Sequence, residues 1–542
     1  MQSQHYGVWP KGLPHSLPPS EFSVFQNLLA SARKYPETLA VSYYGRGLQY
    51  MDLLQDVRSI AGFLHQEFGI QRKDRVAIYM QNAPQFIIAY YAILAANAVI
   101  VPISPMFKRA ELAHILRDSG ATALIHGEEL SIEVAAVKDE FQDLDLLSTS
   151  YSEYAPANAG LGIQDNGLQS LEPDHAVNWP DALALNCPPP EHMCGPDDWC
   201  IVPYSSGTSG RPKGCLHTHS SVNATIYAYP GWVGIEDGSR ILATLPFCHV
   251  TGMQHSMNLP ILTGSTIYLM TRWNAETAAN IIETERIQHW RSITTMMIDF
   301  LSLPGIQDRD LSSLQAIGGG GAQMPKGVAQ KMEDLIGLDY IEAYGLTETM
   351  APTHINPIQA PRKQCLGIPI FDVDCRVIDL GTNEEIGASQ TGEIVTHAPQ
   401  VFQGYWQRPE ETSAAFIEID GKKFFRTGDI GYYDEQGYFY FVDRLKRMIN
   451  VSGLKVWPAE VEAILHGHPD IAEACVVADE DPRSGEAARA VIVPAQGSAT
   501  LEVEALRAWC KENMAAYKVP RRFEFRSKLP RGAAGKVLWK DL

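Results

Sequence analysis

The chain has 542 residues, 45% of them apolar and 20% charged, which excludes a disordered, collagen-like or disulfide-scaffold protein and leaves room for two or three domains. Its 63 acidic against 44 basic residues give a net charge of −19, the wrong sign for a nucleic-acid-binding surface. Nine cysteines, odd in number and with no CxxC pair, point to reduced thiols in a cytoplasmic protein without a zinc site.

The N-terminal stretch through Pro19 is too polar and Pro-rich for a secretory signal. Strands are expected at Asp74–Met80 and Ala121–His126, with a helix over Lys108–Asp118 that ends before Gly120. Phe86–Ile103 carries no charge and is just long enough to consider as a membrane span. Its halves differ, however: Phe86–Ala96 reads as a buried helix, whereas Ala98–Ile103 is β-branched like a core strand. No transmembrane segment is therefore expected. Alternation of helices and strands points to an α/β fold built on a mostly parallel sheet.

Ser148–Pro196, rich in Asn, Gly, Pro and Ser, reads as a long surface loop that includes Cys187-Pro-Pro-Pro190. Helix and strand patterns resume from Asp197, with further strand-like runs near Ala316, Tyr340 and Val377. Gly431–Val442 reads as a hairpin turning at Glu435-Gln-Gly437. Residues 447–542 are nearly neutral, with 14 basic and 13 acidic residues, so the first 446 carry all of the negative excess. A large acidic domain (1–443), a connection (444–446) and a small, locally basic domain (447–542) are expected.

The strongest chemical signal is Tyr204-Ser-Ser-Gly-Thr-Ser-Gly-Arg-Pro-Lys-Gly214. Its glycines let backbone N–H groups approach a polyphosphate, its hydroxyls donate further bonds, and Lys213 supplies charge. Most Gly/Ser runs are merely flexible polar loops. It is not a Walker A loop, because Pro212 stands where Gly is needed and Gly214 where Ser or Thr should bind Mg²⁺.

Residue for residue the loop resembles the phosphate-binding signature of the adenylate-forming superfamily, which contains acyl-CoA synthetases, adenylation domains and firefly-type luciferases. The other motifs follow in order: Leu245-Pro-Phe-Cys-His-Val-Thr-Gly252, Gly318-Gly-Gly-Gly-Ala-Gln-Met-Pro325, Ala343-Tyr-Gly-Leu-Thr-Glu-Thr349, Gly392-Glu-Ile394 with Gly404-Tyr-Trp406, Thr427-Gly-Asp429, Asp443-Arg-Leu-Lys446 and Gly535-Lys536. Together they span the chain from about residue 20 to its end.

The resemblance implies an α/β fold with a large N-terminal domain of helix-covered sheets and a small, mobile α+β C-terminal lid. It implies an acid–thiol ligase of the acyl-CoA synthetase branch: a carboxylate attacks ATP to give acyl-AMP and pyrophosphate, and coenzyme A then displaces AMP. ATP, Mg²⁺ and coenzyme A are thus the expected cofactors, and a small-molecule carboxylic acid the remaining partner. By the same likeness, Ser205, Ser206, Gly207, Thr208, Ser209, Gly210 and Lys213 would bind phosphates, with Thr208 and Glu348 holding Mg²⁺ and Thr347 touching the α-phosphate. Gly320, Gly321, Ala322, Glu342, Ala343, Tyr344 and Gly345 would surround the adenine. Asp429 and Arg444 would hold the ribose, Ser452 and Gly453 would border the pantetheine channel, and His249 would gate the acyl pocket. Lys536 would bond the reacting carboxylate and phosphate oxygens, and Lys446 would be the hinge.

Acyl preference stays open. A medium- or long-chain fatty acid is the first expectation, on a lining of His249–Met253, Met296–Phe300, Gly318–Gly321 and Thr349–Met350 in which Asp299 is the one formal charge. A 4-coumarate- or benzoate-like aryl acid is the alternative, as is a free-standing adenylation enzyme that loads a carrier protein. An adenylate-binding scaffold without turnover is a further one, against which the retention of Thr347, Glu348, Asp429, Arg444 and Lys536 argues. A dimer and peripheral membrane contact are both compatible with the sequence.

Overall fold

A computed structural model describes residues 4–156, 159, 176–205, 212–451, 454–481, 485–495, 501–531 and 537–542. Two compact units result: Ser3–Asp374 with His397–Lys423, and Cys375–Thr396 with Phe424–Leu542. The fold is α/β, with a large N-terminal and a small C-terminal part. The strands of 375–396 and 424–444 group with the C-terminal residues, so the compact division falls earlier in the chain than the expected 443/447 boundary.

The large unit is built on two nine-stranded sheets. In the first, Asp145–Thr149, Ala123–Gly127, Arg75–Tyr79, Val99–Ile103 and Trp199–Ile201 lie parallel in that order, and Lys213–Thr218 and Gly404–Tyr405 continue it antiparallel. The uncharged segment divides as its composition dictates. Pro84–Ala95 is a helix buried on every face, opened by Pro84 at its first turn, and Val99–Ile103 is a strand between parallel neighbours. Among the described residues no helix is long and apolar enough to cross a membrane. The helix Arg109–Ser119 stops at Gly120, whose φ of 61° is a left-handed cap.

The second sheet runs Ile368–Pro369, His354–Ile355, Tyr340–Tyr344, Ala316–Gly320, His289–Arg291, Arg240–Ala243, Thr266–Leu269, Leu39–Tyr43 and Arg46–Gln49. Its central six strands are parallel. Ser148–Pro196 departs from the surface-loop expectation. Its described part contains the helix Trp179–Ala184, with Trp179 fully buried. The Cys187 carbonyl lies 1.9 Å from where a Cβ on Gly62 would stand, so the proline run docks on the helix Tyr50–Gln66 through a glycine notch.

In the small unit, Gly392–His397, Lys422–Tyr433 and Phe439–Arg444 form antiparallel ladders. The expected hairpin is present: Tyr433 faces Phe439, and Asp434 Oδ1 accepts the N–H groups of Gln436 and Tyr438 within the turn. A second sheet, Leu454–Val456, Ile449–Val451, Gly485–Pro494, Ile471–Asp481 and Arg522–Phe525, buries one face under the helices Pro458–Leu465 and Val503–Asn513.

Candidate active site

In the large unit, the Gly/Ser loop springs from a tight antiparallel pair. Tyr204–Ser205 pairs with the start of Lys213–Thr218, so Ser205 stands across from Lys213 and Tyr204 across from Gly214. Gly214 must lack a side chain here, because a Cβ would lie 2.6 Å from Val202 Cγ1. Ser206, Gly207, Thr208, Ser209 and Gly210 lie outside the described residues, but their two anchoring neighbours are fixed.

Four groups cluster beside this neck. Lys213 pairs with Glu411, at the first turn of the helix Pro409–Ala414, and its ammonium lies 5.1 Å from the Tyr405 ring centre. Tyr405 donates its hydroxyl to Glu348 Oε1 at 3.2 Å. Burial and the Glu348 charge both raise the Tyr405 pKa, so the phenol stays protonated and donating. The other Glu348 oxygen has no partner among the described residues. Cys215 lies deeper, its thiol raised well above the ordinary value by burial and next by Glu348.

Glu348 belongs to the short turn Thr347–Thr349, which two bonds position, one from the strand Lys213–Thr218 and one from the segment before Gly404–Tyr405. Nε2 of buried His217 lies 2.9 Å from the Thr347 carbonyl, and Phe402 N–H donates to the Glu348 carbonyl at 2.9 Å. The next residues, Met350 and Ala351, have φ of 50° and 26°, a left-handed stretch without glycine. Such strain persists only where the surroundings over-determine it, and it commonly marks functional turns.

The glycine run occupies the end of Ala316–Gly320, where two neighbours leave no room for side chains. A Cβ would lie 2.3 Å from the Ile341 carbonyl oxygen at Gly318, 1.9 Å from that of Ser292 at Gly319, and 2.3 Å from that of Ala343 at Gly320. Gly345 is equally confined, with the Cα atoms of Ala351 and Pro352 at 2.8 Å. Gly321 and Ala322 are exposed, and Gly321 has φ of 87°. Gly318 and Gly319 thus let three strands pack closely, and Gly320–Ala322 leave a shelf of bare backbone at the strand end, with Tyr344 following on the adjacent strand, its ring 5.5 Å from His354. A flat, polarisable ring fits such a shelf. Glu342 serves the fold instead: its oxygens accept the Met324 and Cys365 N–H groups at 2.8 and 3.0 Å, and burial raises its pKa.

His249 is half-buried at the entry to Val250–Met253. Gly252 allows the turn to close, since a Cβ there would meet the Pro246 carbonyl at 2.3 Å. Asp299 is exposed and accepts the Trp273 indole N–H at 2.9 Å, so this charge is engaged outside the expected lining.

In the small unit, Asp429 and Arg444 are cross-strand partners, with Arg444 Nε 2.5 Å from Asp429 Oδ1. The Asp429 side chain is fully buried whereas that of Arg444 is 41% exposed, so the pair presents its cation outward. Asp443 Oδ1 and Oδ2 accept the N–H groups of Arg444 and of Ala459, each at 2.6 Å, the latter at the start of Pro458–Leu465. Lys446 is exposed in the turn Leu445–Arg447. Ser452, Gly453 and Lys536 lie outside the described residues.

Sequence reasoning missed His217, Tyr405 and Glu411 as supports of this site. Tyr405 stood within a quoted motif without a role. His217 is separated from Thr347 by 130 residues, and only the folded sheets bring them together.

The profile of AMP-binding enzymes matches residues 28–406, and that of the AMP-binding enzyme C-terminal domain matches residues 460–536. A long-chain-fatty-acid–CoA ligase of Bacillus subtilis is 33% identical, over all of this chain and 98% of its own length. A feruloyl-CoA synthase of an Amycolatopsis species is 32% identical over 99% of this chain and 98% of its own. Among solved structures, ATP-bound MatB from Rhodopseudomonas palustris superimposes with a TM-score of 0.84 at 23% identity, covering 96% of this chain and 98% of that one.

Proposed function

The chain belongs to the AMP-binding enzyme family and is an acyl-CoA synthetase, and from that premise we propose that it activates a medium- or long-chain fatty acid in two half-reactions on one site. The single observation that supports the nucleotide reading is the bare strand end Gly320–Ala322, exposed at Gly321 and Ala322 and next to the strand that carries Tyr344, where an adenine can lie flat while its phosphates reach the loop that starts at Ser205. The acid class rests on the Bacillus relative's name and on Met296, Met297 and Phe300, buried on the helix Thr294–Leu301.

The reaction brings two anions together, so the site must supply fixed positive charge and donors. In this reading Ser205, Ser206, Gly207, Thr208, Ser209, Gly210 and Lys213 wrap the outgoing pyrophosphate. Lys213 is held ready by Glu411, and an incoming phosphate takes that carboxylate's place. Thr347 bonds the α-phosphate. Thr208 and Glu348 hold Mg²⁺, which would neutralise phosphate charge; one Glu348 oxygen, tied to Tyr405, leaves the other for the ion. Gly320, Gly321, Ala322, Ala343, Tyr344 and Gly345 enclose the adenine, with Glu342 bracing them from behind. Asp429 and Arg444 take the ribose hydroxyls. His249 gates the acyl pocket, Lys536 stabilises charge as the carboxylate attacks, and Ser452 and Gly453 border the thiol path. Activity in the cytoplasm belongs to the same proposal.

A second reading, an aryl acid, is favoured by the feruloyl relative, whose identity is nearly as high. The deciding experiment is pyrophosphate release on adding ATP, Mg²⁺ and one acid at a time, with decanoate, palmitate, benzoate and ferulate compared. Fatty acids should lead, and AMP should appear with coenzyme A as acceptor. A lead for ferulate or benzoate moves the reading to aryl acids, and turnover with a phosphopantetheinylated carrier protein but not coenzyme A overturns the acceptor.

A further inference from the structure

Arg291 ends the strand His289–Arg291 in the middle of the second sheet of the large unit and is 2% exposed. Neither Nη1 nor Nη2 has a hydrogen-bond partner among the described residues, and no carboxylate there reaches ion-pair distance of it. Its guanidinium lies over the Tyr229 ring, 5.1 Å from the centroid. A cation–π contact returns only part of what a buried charge loses on leaving water. Glu342, a buried acid on the strand Tyr340–Tyr344 beyond Ala316–Gly320, already spends both oxygens on backbone N–H groups. A buried arginine left in this state is an incomplete pair.

The surroundings say what is missing. Arg291 faces Gly318 across the strands, and Nη1 lies 2.8 Å from where a Gly318 Cβ would stand, so the guanidinium lies beside the first residue of the glycine run. His255 stacks near Tyr229, with ring centroids 4.1 Å apart, six residues beyond His249 on the continuous helical run that begins at Val250. Burial and then the Arg291 charge push His255 and His289 down to about 3, so both imidazoles are neutral. His255 Nδ1, both His289 nitrogens and the Ser292 hydroxyl also lack partners among the described residues. One cation ringed by neutral groups that can donate hydrogen bonds is the chemical complement of a carboxylate. The location is the lining expected for the acid, bounded by His249–Met253 and Gly318–Gly321.

We propose that Arg291 pairs with a second carboxylate of the substrate, so that the enzyme activates one end of a dicarboxylic acid whose other end is seated between Arg291, Tyr229 and His255. This rests on the acid-activation reading above and narrows its substrate class. Only one carboxylate reacts; the other is bound unchanged and leaves on the acyl-CoA. The sequence concealed the residue because Arg291 stands before Met296–Phe300, outside the segments that motif position assigns to the pocket.

The test compares sebacate, decanoate and hydroxydecanoate, matched in length, by kcat/KM for pyrophosphate release and by calorimetric binding, in the wild-type protein, Arg291→Met and Arg291→Lys. Expected is a wild-type preference for sebacate over decanoate of at least about tenfold, the discrimination typical of a site built for a polar group. Arg291→Met should reduce that ratio by about tenfold or more, and Arg291→Lys should restore part of it. Equal use of sebacate and decanoate by the wild type overturns the proposal and leaves acid activation standing. Equal use of sebacate and hydroxydecanoate also overturns it, because a neutral acceptor then suffices. Should no acid be turned over, Arg291-dependent binding of sebacate upholds this pairing while the ligase reading falls, and absence of such binding overturns both.

Discussion

His217 Nε2 sits 2.9 Å from the carbonyl oxygen of Thr347 and joins the strand that carries Lys213 to the turn that carries Glu348. Burial lowers the His217 pKa to about 4, so the ring is neutral at physiological pH. A carbonyl can only accept, so Nε2 carries the hydrogen, while the Ser221 hydroxyl 3.2 Å from Nδ1 also lies 3.0 Å from the Thr218 carbonyl and has one proton for the two acceptors. The imidazole is therefore a rigid spacer between the strand of Lys213 and the turn of Glu348, the two elements proposed to face phosphate.

Replacing His217 with Leu should loosen the Thr347–Thr349 turn at a cost of about 1–3 kcal/mol, the penalty for an unpaired buried carbonyl. As a positioning residue, His217 should affect kcat for adenylation more than the KM of the acid. His217→Gln, whose amide N–H can reach the same carbonyl, should recover most of the rate. Equal losses in both variants, with a fall in melting temperature alone, would reduce His217 to a packing residue.

The glycine shelf makes a second prediction. Gly320→Ala places a methyl group 2.3 Å from the Ala343 carbonyl, and that atom is backbone with nowhere to retreat. Overpacking of this kind costs about 1–3 kcal/mol. Because the strand end also forms the adenine surface in our proposal, the ATP KM should rise severalfold beyond what the stability loss explains. Gly12→Ala is the control: a Cβ there meets nothing within 4 Å, although its φ of 84° adds backbone strain. A melting-temperature loss at Gly320 no greater than at Gly12 would contradict the shelf argument.

Much of this was legible before the fold was seen, and the failures have physical causes. The segment Pro84–Ile103 resolved correctly because β-branching and length separate a buried strand from a buried helix. Ser148–Pro196 misled because its composition is that of a loop, while one residue, Trp179, supplies enough buried area to hold a helix in place. Motifs revealed the residues expected to touch ligand, but not those that hold them. The Glu348–Tyr405 and His217–Thr347 contacts join segments far apart in sequence, and no local spacing encodes them. Arg291 was invisible for another reason, since an arginine on a strand ordinarily reads as an edge or surface charge.

Asp429 and Arg444 provide a third prediction. Removing the charge in Asp429→Asn leaves Arg444 without its buried counter-ion and takes an acceptor from the proposed ribose site. Charge-assisted pairs are worth about 1.5–3 kcal/mol, so the ATP KM should rise roughly tenfold or more. Acyl transfer from preformed acyl-adenylate to coenzyme A should suffer through weaker adenylate binding. An unchanged ATP KM would remove Asp429 from the nucleotide site.

The pH dependence of stability follows from the buried histidines. Burial lowers His126 and His217 to about 4, and His219, His255 and His289 to about 3, against an ordinary value near 6.5. Between those limits the unfolded chain binds protons that the folded chain refuses, so stability rises with pH and is lost as pH falls below about 6.5. Glu129 acts in the opposite direction, because burial raises it to about 7 and the folded state then holds the extra proton. Burial also raises Asp56, Asp145, Glu153, Glu342 and Asp443, but Glu129 moves furthest. His5 (about 4) and His354 (about 3) add to the five histidines, so the histidines dominate. Each contributes up to about 1.4 kcal/mol per pH unit, so the melting temperature should fall steeply from about pH 6.5 to 5. A flat melting profile over that window would contradict the neutral assignments.

The two half-reactions make incompatible demands, and the last prediction follows from them. In the proposed reading the Lys536 ammonium stands over the carboxylate for adenylation, whereas for thioester formation the coenzyme A thiol approaches that same carbon. One fixed arrangement of the C-terminal residues cannot serve both, so we propose that they pivot, at the connection 444–446. Asp443 is anchored by the N–H groups of Arg444 and Ala459, and Arg447 is held by Glu462 and by the Val476 carbonyl at 3.2 Å. Lys446 lies between these anchors and is exposed, and because the Asp443–Ala459 bond and the Asp443–Arg447 pair both cross it, a pivot there must release them. Pro at this position fixes φ near roughly −65° and restricts Leu445 as well. Lys446→Pro should therefore retain one half-reaction and lose most of the other, by about 10²-fold if the excluded pose removes the Lys536 contact. The assays are pyrophosphate release from acid and ATP, and coenzyme A consumption from preformed acyl-adenylate, with Lys446→Ala as the control that keeps backbone freedom. Near-normal rates for the proline variant in both assays would place the pivot elsewhere, and equal losses in both would mean that the proline disturbed the fold between Asp443 and Arg447 rather than the motion.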